Sequence, residues 1–181
     1  MHLLLLALLT LSDPPADDAA ANRYAKATAR LAATQTPEDR FYALRGAAKA
    51  AFEVGKYDQA RTYANELLTT AQQFRGDWNY GNAIHDGHLV RGRLALRAGD
   101  VAHAKEELLA AGSTPGSPQL DTFGPNMSLA SDLLKRGERE VVLEYFRRCE
   151  RFWESGGESL AAWRKAIAGG KTPDFGANLR Y

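Results

Sequence analysis

Residues 78–111, WNYGNAIHDGHLVRGRLALRAGDVAHAKEELLAA, constrain the fold more than any other stretch. Tyr80, Ile84, His88, Arg91 and Ala95 recur at helical spacing, Gly99-Asp100 interrupts the pattern, and Val101, Ala104, Leu108 and Ala111 resume it. A break this short between two amphipathic helices forces the second to fold back on the first. The chain carries the same pattern once before and, more loosely, once after.

The earlier copy begins at Thr36-Pro37-Glu38-Asp39, a helix start with Thr as N-cap, Pro at the first helical position and acids in the first turn. Phe41, Leu44, Ala48, Ala51 and Phe52 follow, and Gly55 ends the helix. Ala60, Tyr63, Ala64, Leu67, Leu68 and Ala71 then form a clean apolar stripe. The later copy runs through Met127, Ala130, Leu133 and Leu134 to Gly137. It returns through Val142, Tyr145, Phe146, Cys149, Phe152 and Trp153. Alanine is abundant while Val and Ile are scarce, which favours helix over strand. The expected fold class is all-α: about three antiparallel helical hairpins plus flanking helices. One flanking helix lies over residues 21–33. Another, after the Ser155-Gly156-Gly157 break, carries Leu160, Trp163 and Ile167. The domain reading is residues 1–21 as leader and linker, 22–168 as helical domain, and 169–181 as an irregular tail.

Leu3 to Leu11 form an apolar run with the length of a signal-peptide core, too short for the about 20 residues that span a bilayer. Ala16 and Ala19 to Ala21 supply small residues for cleavage, although no Lys or Arg precedes the run. Export to a periplasm or the exterior is the expectation, with no stable membrane span after cleavage. Removing 1–21 takes away Asp13, Asp17 and Asp18 but no basic residue, which leaves a mildly basic chain. With 23 basic and 22 acidic side chains overall, charge gives no case for nucleic acid. Cys149 is the single cysteine, so no internal disulfide forms; its aromatic neighbours mark it as a buried small hydrophobe.

The hairpins resemble tetratricopeptide repeats. Aligning the turns sets Gly55-Lys56-Tyr57-Asp58-Gln59-Ala60 over Gly99-Asp100-Val101-Ala102-His103-Ala104. The family's small residue in the first helix falls on Ala48, Gly92 and Ala130, and that of the second on Ala60 and Ala104. The third unit departs, with Gly137-Glu138-Arg139 and then Val142, as terminal repeats often do. The resemblance covers roughly residues 39–153. Its glycines are 44 and 38 residues apart rather than about 34. The surplus lies in Phe74 to Asn82 and Gly112 to Gly124. Both segments join a second helix to the next first helix, so both are expected on one edge of the stack. The resemblance implies a right-handed α-solenoid. It also implies an inner groove lined by Tyr42, Arg45, Lys49, Phe52, Arg93, Arg97 and Lys135, with Asp86 as the acidic exception. The family's carboxylate clamp also uses asparagines, which these positions lack.

Several residues carry candidate chemistry. His85 and His88 place two imidazoles on one helix face, but a zinc site needs three or four ligands, so hydrogen-bonded packing is the expected role. Trp78, Asn79, Tyr80 and Asn82 combine aromatics with amides, as recognition surfaces do; packing and capping roles are the alternative. Phe123-Gly124-Pro125-Asn126 has a similar character or ends a loop at a helix start. Asp174-Phe175-Gly176-Ala177-Asn178 shares that character or is a frayed terminus; its Asp174-Phe175-Gly176 is not a kinase motif, because no glycine-rich loop or catalytic loop accompanies it. No cofactor is expected.

The expected function is a non-catalytic scaffold or adaptor that binds a protein or peptide, acidic in the favoured case. Trp78, Asn79, Tyr80, Asn82, Phe123 and Asn126 would contact the partner, and Arg45, Lys49, Arg93 and Arg97 would steer it. The alternatives are a metal-dependent hydrolase using His85 and His88, and a structural subunit that stacks through Leu160, Trp163 and Phe175.

Overall fold

The computed structural model describes residues 17–179. Among them are nine α-helices, two short 3-10 turns and no strand. The protein is all-α. The expected leader and the Pro14-Pro15 linker lie outside the described residues. No helix among the described residues is long and apolar enough to cross a membrane.

Helix α1 (Asp18–Ala32) starts earlier than expected, inside the stretch read as linker. Asp17 is its N-cap: the carboxylate accepts from the backbone N–H of Ala20 at 2.6 Å. Helix α2 (Pro37–Glu53) starts as its sequence predicts, with Thr36 accepting from Asp39 N–H. Helices α3 (Tyr57–Ala71), α4 (Tyr80–Arg97) and α5 (Val101–Ala111) follow, each packed on its predecessor. α2 and α4 both end in a glycine with positive φ, Gly55 at 74° and Gly99 at 83°. In each case the next residue's N–H reaches back to a carbonyl of the last turn, Lys56 to Ala51 and Asp100 to Ala95.

The second insertion holds an unexpected helix, α6 (Pro118–Phe123), N-capped by Ser117. Then come α7 (Ser128–Leu134), α8 (Arg139–Cys149) and α9 (Gly157–Ala168), which is preceded by a 3-10 turn at Glu154–Gly156. The described part of the tail is irregular but packed rather than frayed. Phe175 is buried against Phe146 and Trp163, and Asp174 accepts the Trp163 indole N–H at 3.0 Å. Asn178 fastens it further by donating to the carbonyls of Phe123 and Pro125. The tail therefore packs on α6, α8 and α9.

The core has two characters. Around α2, α3 and the first half of α4 it is built largely of alanine, with Phe41, Leu44 and Leu67. From α5 to the tail one larger cluster gathers Tyr145, Phe146, Trp153, Trp163 and Phe175. α4 touches both.

Candidate functional site

The site grows from the contact of α2 with α4. Asp86 on α4 is 3% exposed, and burial alone would raise its pKa. Lys49, a hydrogen bond from His85 and Arg45 outweigh that cost and hold the carboxyl well below the usual range. Arg45 Nε donates to Asp86 Oδ2 at 2.7 Å, and Lys49 Nζ to the same oxygen at 3.0 Å. His85 Nδ1 lies 2.8 Å from Oδ1. Sequence reasoning saw Asp86 as the exception among groove cations; it is the shared counter-ion of two of them, Arg45 and Lys49.

The network extends both ways from this hub. Toward the interior, His85 Nε2 lies 3.1 Å from the Tyr145 hydroxyl, which donates to the Asn126 carbonyl. Toward the surface, Arg45 Nη1 donates to Asn79 and to Gln119 of α6. Asn82 donates to Asn79 and accepts from Ser117. The two insertions thus meet, and they meet closely. Thr114 donates to the Gly81 carbonyl at 2.7 Å, and a Cβ on Gly81 would lie 1.7 Å from the Gly116 oxygen.

Three hollows surround the hub. Between α1 and α2 lies an open concavity of about 490 Å³, lined by Arg23, Lys26, Arg30, Arg45 and Lys49, with Glu53 as its acid. Arg23 pairs with Glu53. Lys26 and Arg30 have no ion partner among the described residues. Beyond Arg45 lies a cleft of about 280 Å³, walled by Leu120, Phe123, Gly124 and Ala177 over a floor of Arg45, Asn82, Asp86 and Gln119. A small hollow of about 60 Å³ sits by Lys49, Asp86, Arg93 and Leu179.

The expected site residues divide accordingly. Trp78 and Phe123 stay exposed, at 57% and 67%. Trp78 leans on Tyr42, whose ring centroid is 5.9 Å away. Asn79 and Asn82 are each 2% exposed, so the recognition role expected of them gives way to cross-linking inside the network. Tyr80 packs, half-buried, on the alanine-rich core. Asn126 is buried, and its side chain accepts from Ser128 N–H at the start of α7. Arg93 sits over the Phe52 ring and pairs with Asp132, and Arg97 sits over Tyr57. Neither Arg93 nor Arg97 lines the basic concavity, although Arg93 shares the small hollow with Lys49 and Asp86. The cleft at the insertion edge and the basic concavity share Arg45 as a lining residue.

His85 and His88 serve different partners: His88 Nδ1 lies 2.6 Å from Glu107, which also binds Arg91 and His103. Among the described residues, no group of three or more His, Cys, Asp or Glu is placed to hold a metal. Leu160, Trp163 and Phe175 are at most 8% exposed, so the apolar stacking patch expected there is consumed by the protein's own core. Burial pushes the Cys149 thiol up, as its aromatic setting predicts.

Sequence reasoning missed two contributors. The basic residues of α1, at positions 23, 26 and 30, share one helix face by spacing alone. Ser117-Pro118 repeats the start signal of Thr36-Pro37. Ala177 and Asn178 stand out in the sequence only as part of the Asp174 to Asn178 stretch, because their contact with α6 depends on the tail returning to it. Comparison with protein-family models, curated proteins and solved structures finds no match.

Proposed function

We propose that the protein is a non-catalytic binding module that holds an acidic peptide or protein segment along the face formed by α1, α2 and α6. The observation that carries this reading is the concavity lined by five cations against one rim acid. Asp86 neutralises part of the charge of Arg45 and Lys49 from beneath, but Lys26 and Arg30 remain without ion partners among the described residues. A face that concentrates one sign of charge attracts the opposite sign and sets partner orientation. The α2–α3 and α4–α5 pairs support a tetratricopeptide-like stack as the scaffold. The third pair, α7–α8, is reached through α6 and departs from that scheme.

The non-catalytic reading is supported by the state of the candidate groups. His85 is fully buried with both ring nitrogens engaged. Asp86 is held ionised by its neighbours, which makes it a poor proton acceptor. Fluorescence anisotropy with a labelled Glu-rich peptide tests the proposal. Binding should weaken as salt rises, and Lys26→Glu with Arg30→Glu should remove most of it. Equal binding by this variant and the parent, or none by either, would sink the reading.

A further inference from the structure

The cleft beyond Arg45 is not accounted for by charge. Its polar floor is already satisfied from within. Arg45 donates to Asp86, Asn79 and Gln119, and Asp86 accepts from Arg45, Lys49 and His85. A polar ligand group entering there would have to displace an existing bond, and leaving a buried partner unmatched is costly. The walls are apolar: Leu120, Phe123, Gly124 and Ala177. Their backbone is also fastened to its surroundings. Gly124 has φ 79°, and a Cβ there would lie 2.6 Å from the Trp153 ring. Asn178 ties the Phe123 and Pro125 carbonyls to the tail. Phe123 itself stays 67% exposed, an apolar surface beside an apolar recess.

We infer that this cleft receives one large aliphatic or aromatic side chain of the bound segment. The ligand class is then a peptide that carries an apolar anchor beside its acidic residues. The inference rests on the acidic-segment reading above. Two features select this occupant. The cleft shares Arg45 with the basic concavity, so a segment held on the cations has the cleft next to it. Its size, about 280 Å³, lies below the roughly 300–1,000 Å³ of sites that enclose a whole small ligand.

The test is a Glu-rich peptide series in which one Phe is walked along the chain, titrated against the full-length protein. One position should tighten binding by about tenfold or more over the all-acidic peptide. Ala177→Trp, at an exposed position, should fill the cleft, so that within this variant the Phe peptide binds no tighter than the all-acidic one. Phe123→Ala, which removes an apolar wall, should shrink the increment and covers the case in which the first variant fails to fold. If the all-acidic peptide binds but no Phe position improves it, the cleft inference is overturned while the acidic reading stands. The same holds if the increment survives both substitutions. If no peptide in the series binds, the acidic reading falls and the cleft inference with it.

Discussion

Two regions of this protein join segments that are far apart in sequence, and they use opposite physics. At the seam of α2 and α4, Arg45 and Lys49 clamp Asp86 from 41 and 37 residues away. At the other end, Phe146, Trp163 and Phe175 close the junction of α8, α9 and the tail through ring contacts of 4.9–6.2 Å. The aromatic junction gains from excluding water and needs few polar partners. The seam removes a carboxylate from water and is stable only while its cations and His85 stay in place. The cations themselves keep 19% and 22% exposure, so they can also face a ligand. A structural junction and a recognition face can therefore be the same residues at the seam, but not in the aromatic cluster.

The sharpest way to break this contrast is to strand Asp86. Arg45→Ala with Lys49→Ala leaves a buried carboxylate with His85 alone and should cost about 4 kcal/mol in urea unfolding at neutral pH. The pH dependence fixes the cause. In the parent, the depressed pKa of Asp86 gives stability that is complete above the unfolded value of about 4 and declines as pH falls below it. In the variant, burial is no longer opposed by two cations and the pKa moves up. The deficit against the parent should then shrink between pH 7 and about 4. An equal deficit at both values would show that lost packing, not charge, causes the effect.

Phe175→Ala tests the other junction. It should cost about 3 kcal/mol, the low end for a buried Phe because the tail can collapse inward. This loss should not depend on pH over the same range. Tyr145→Phe probes the point where the two regions touch, since its hydroxyl meets both His85 and the Asn126 carbonyl. A cost of about 1–3 kcal/mol is expected, from partners left short of a bond. Trp78→Ala should change stability by less than about 0.5 kcal/mol, because the ring is exposed. If Trp78 anchors the partner, the same substitution should speed dissociation of an acidic peptide, by about 2 kcal/mol in affinity. A large stability loss there would place Trp78 in the fold rather than the binding face.

The contrast also explains what the sequence made legible. The stripe from Ala60 to Ala71 and the Thr36-Pro37 start are local patterns, and α2 and α3 follow them. α6 had an equally good start at Ser117-Pro118, but six residues are too few to show a period. The Asp86 hub was invisible because its partners sit on another helix and nothing local distinguishes a counter-ion from a groove acid. His85 and His88 looked like a pair by spacing, yet the neighbours of each helix face sent them to different carboxylates. Phe175 is a lone aromatic in an aperiodic tail, so its burial depends on tertiary packing that no spacing rule records.

Helix α4 carries glycine at 81, 87 and 92, where an added Cβ would meet Gly116, Leu68 and Leu129. Each glycine costs a helix interior about 1 kcal/mol against alanine. The segment that everything else leans on is thus a poor helix by itself, and its neighbours supply the helicity. The expected order of folding follows. The α2–α3 hairpin, built on alanine, forms first, and α4 condenses onto it late. Conservative core substitutions in α4, such as Leu94→Ala and Val90→Ala, should mainly speed unfolding, whereas Ala64→Gly in α3 should slow folding. The opposite pattern in stopped-flow kinetics would make α4 the nucleus rather than the keystone set last.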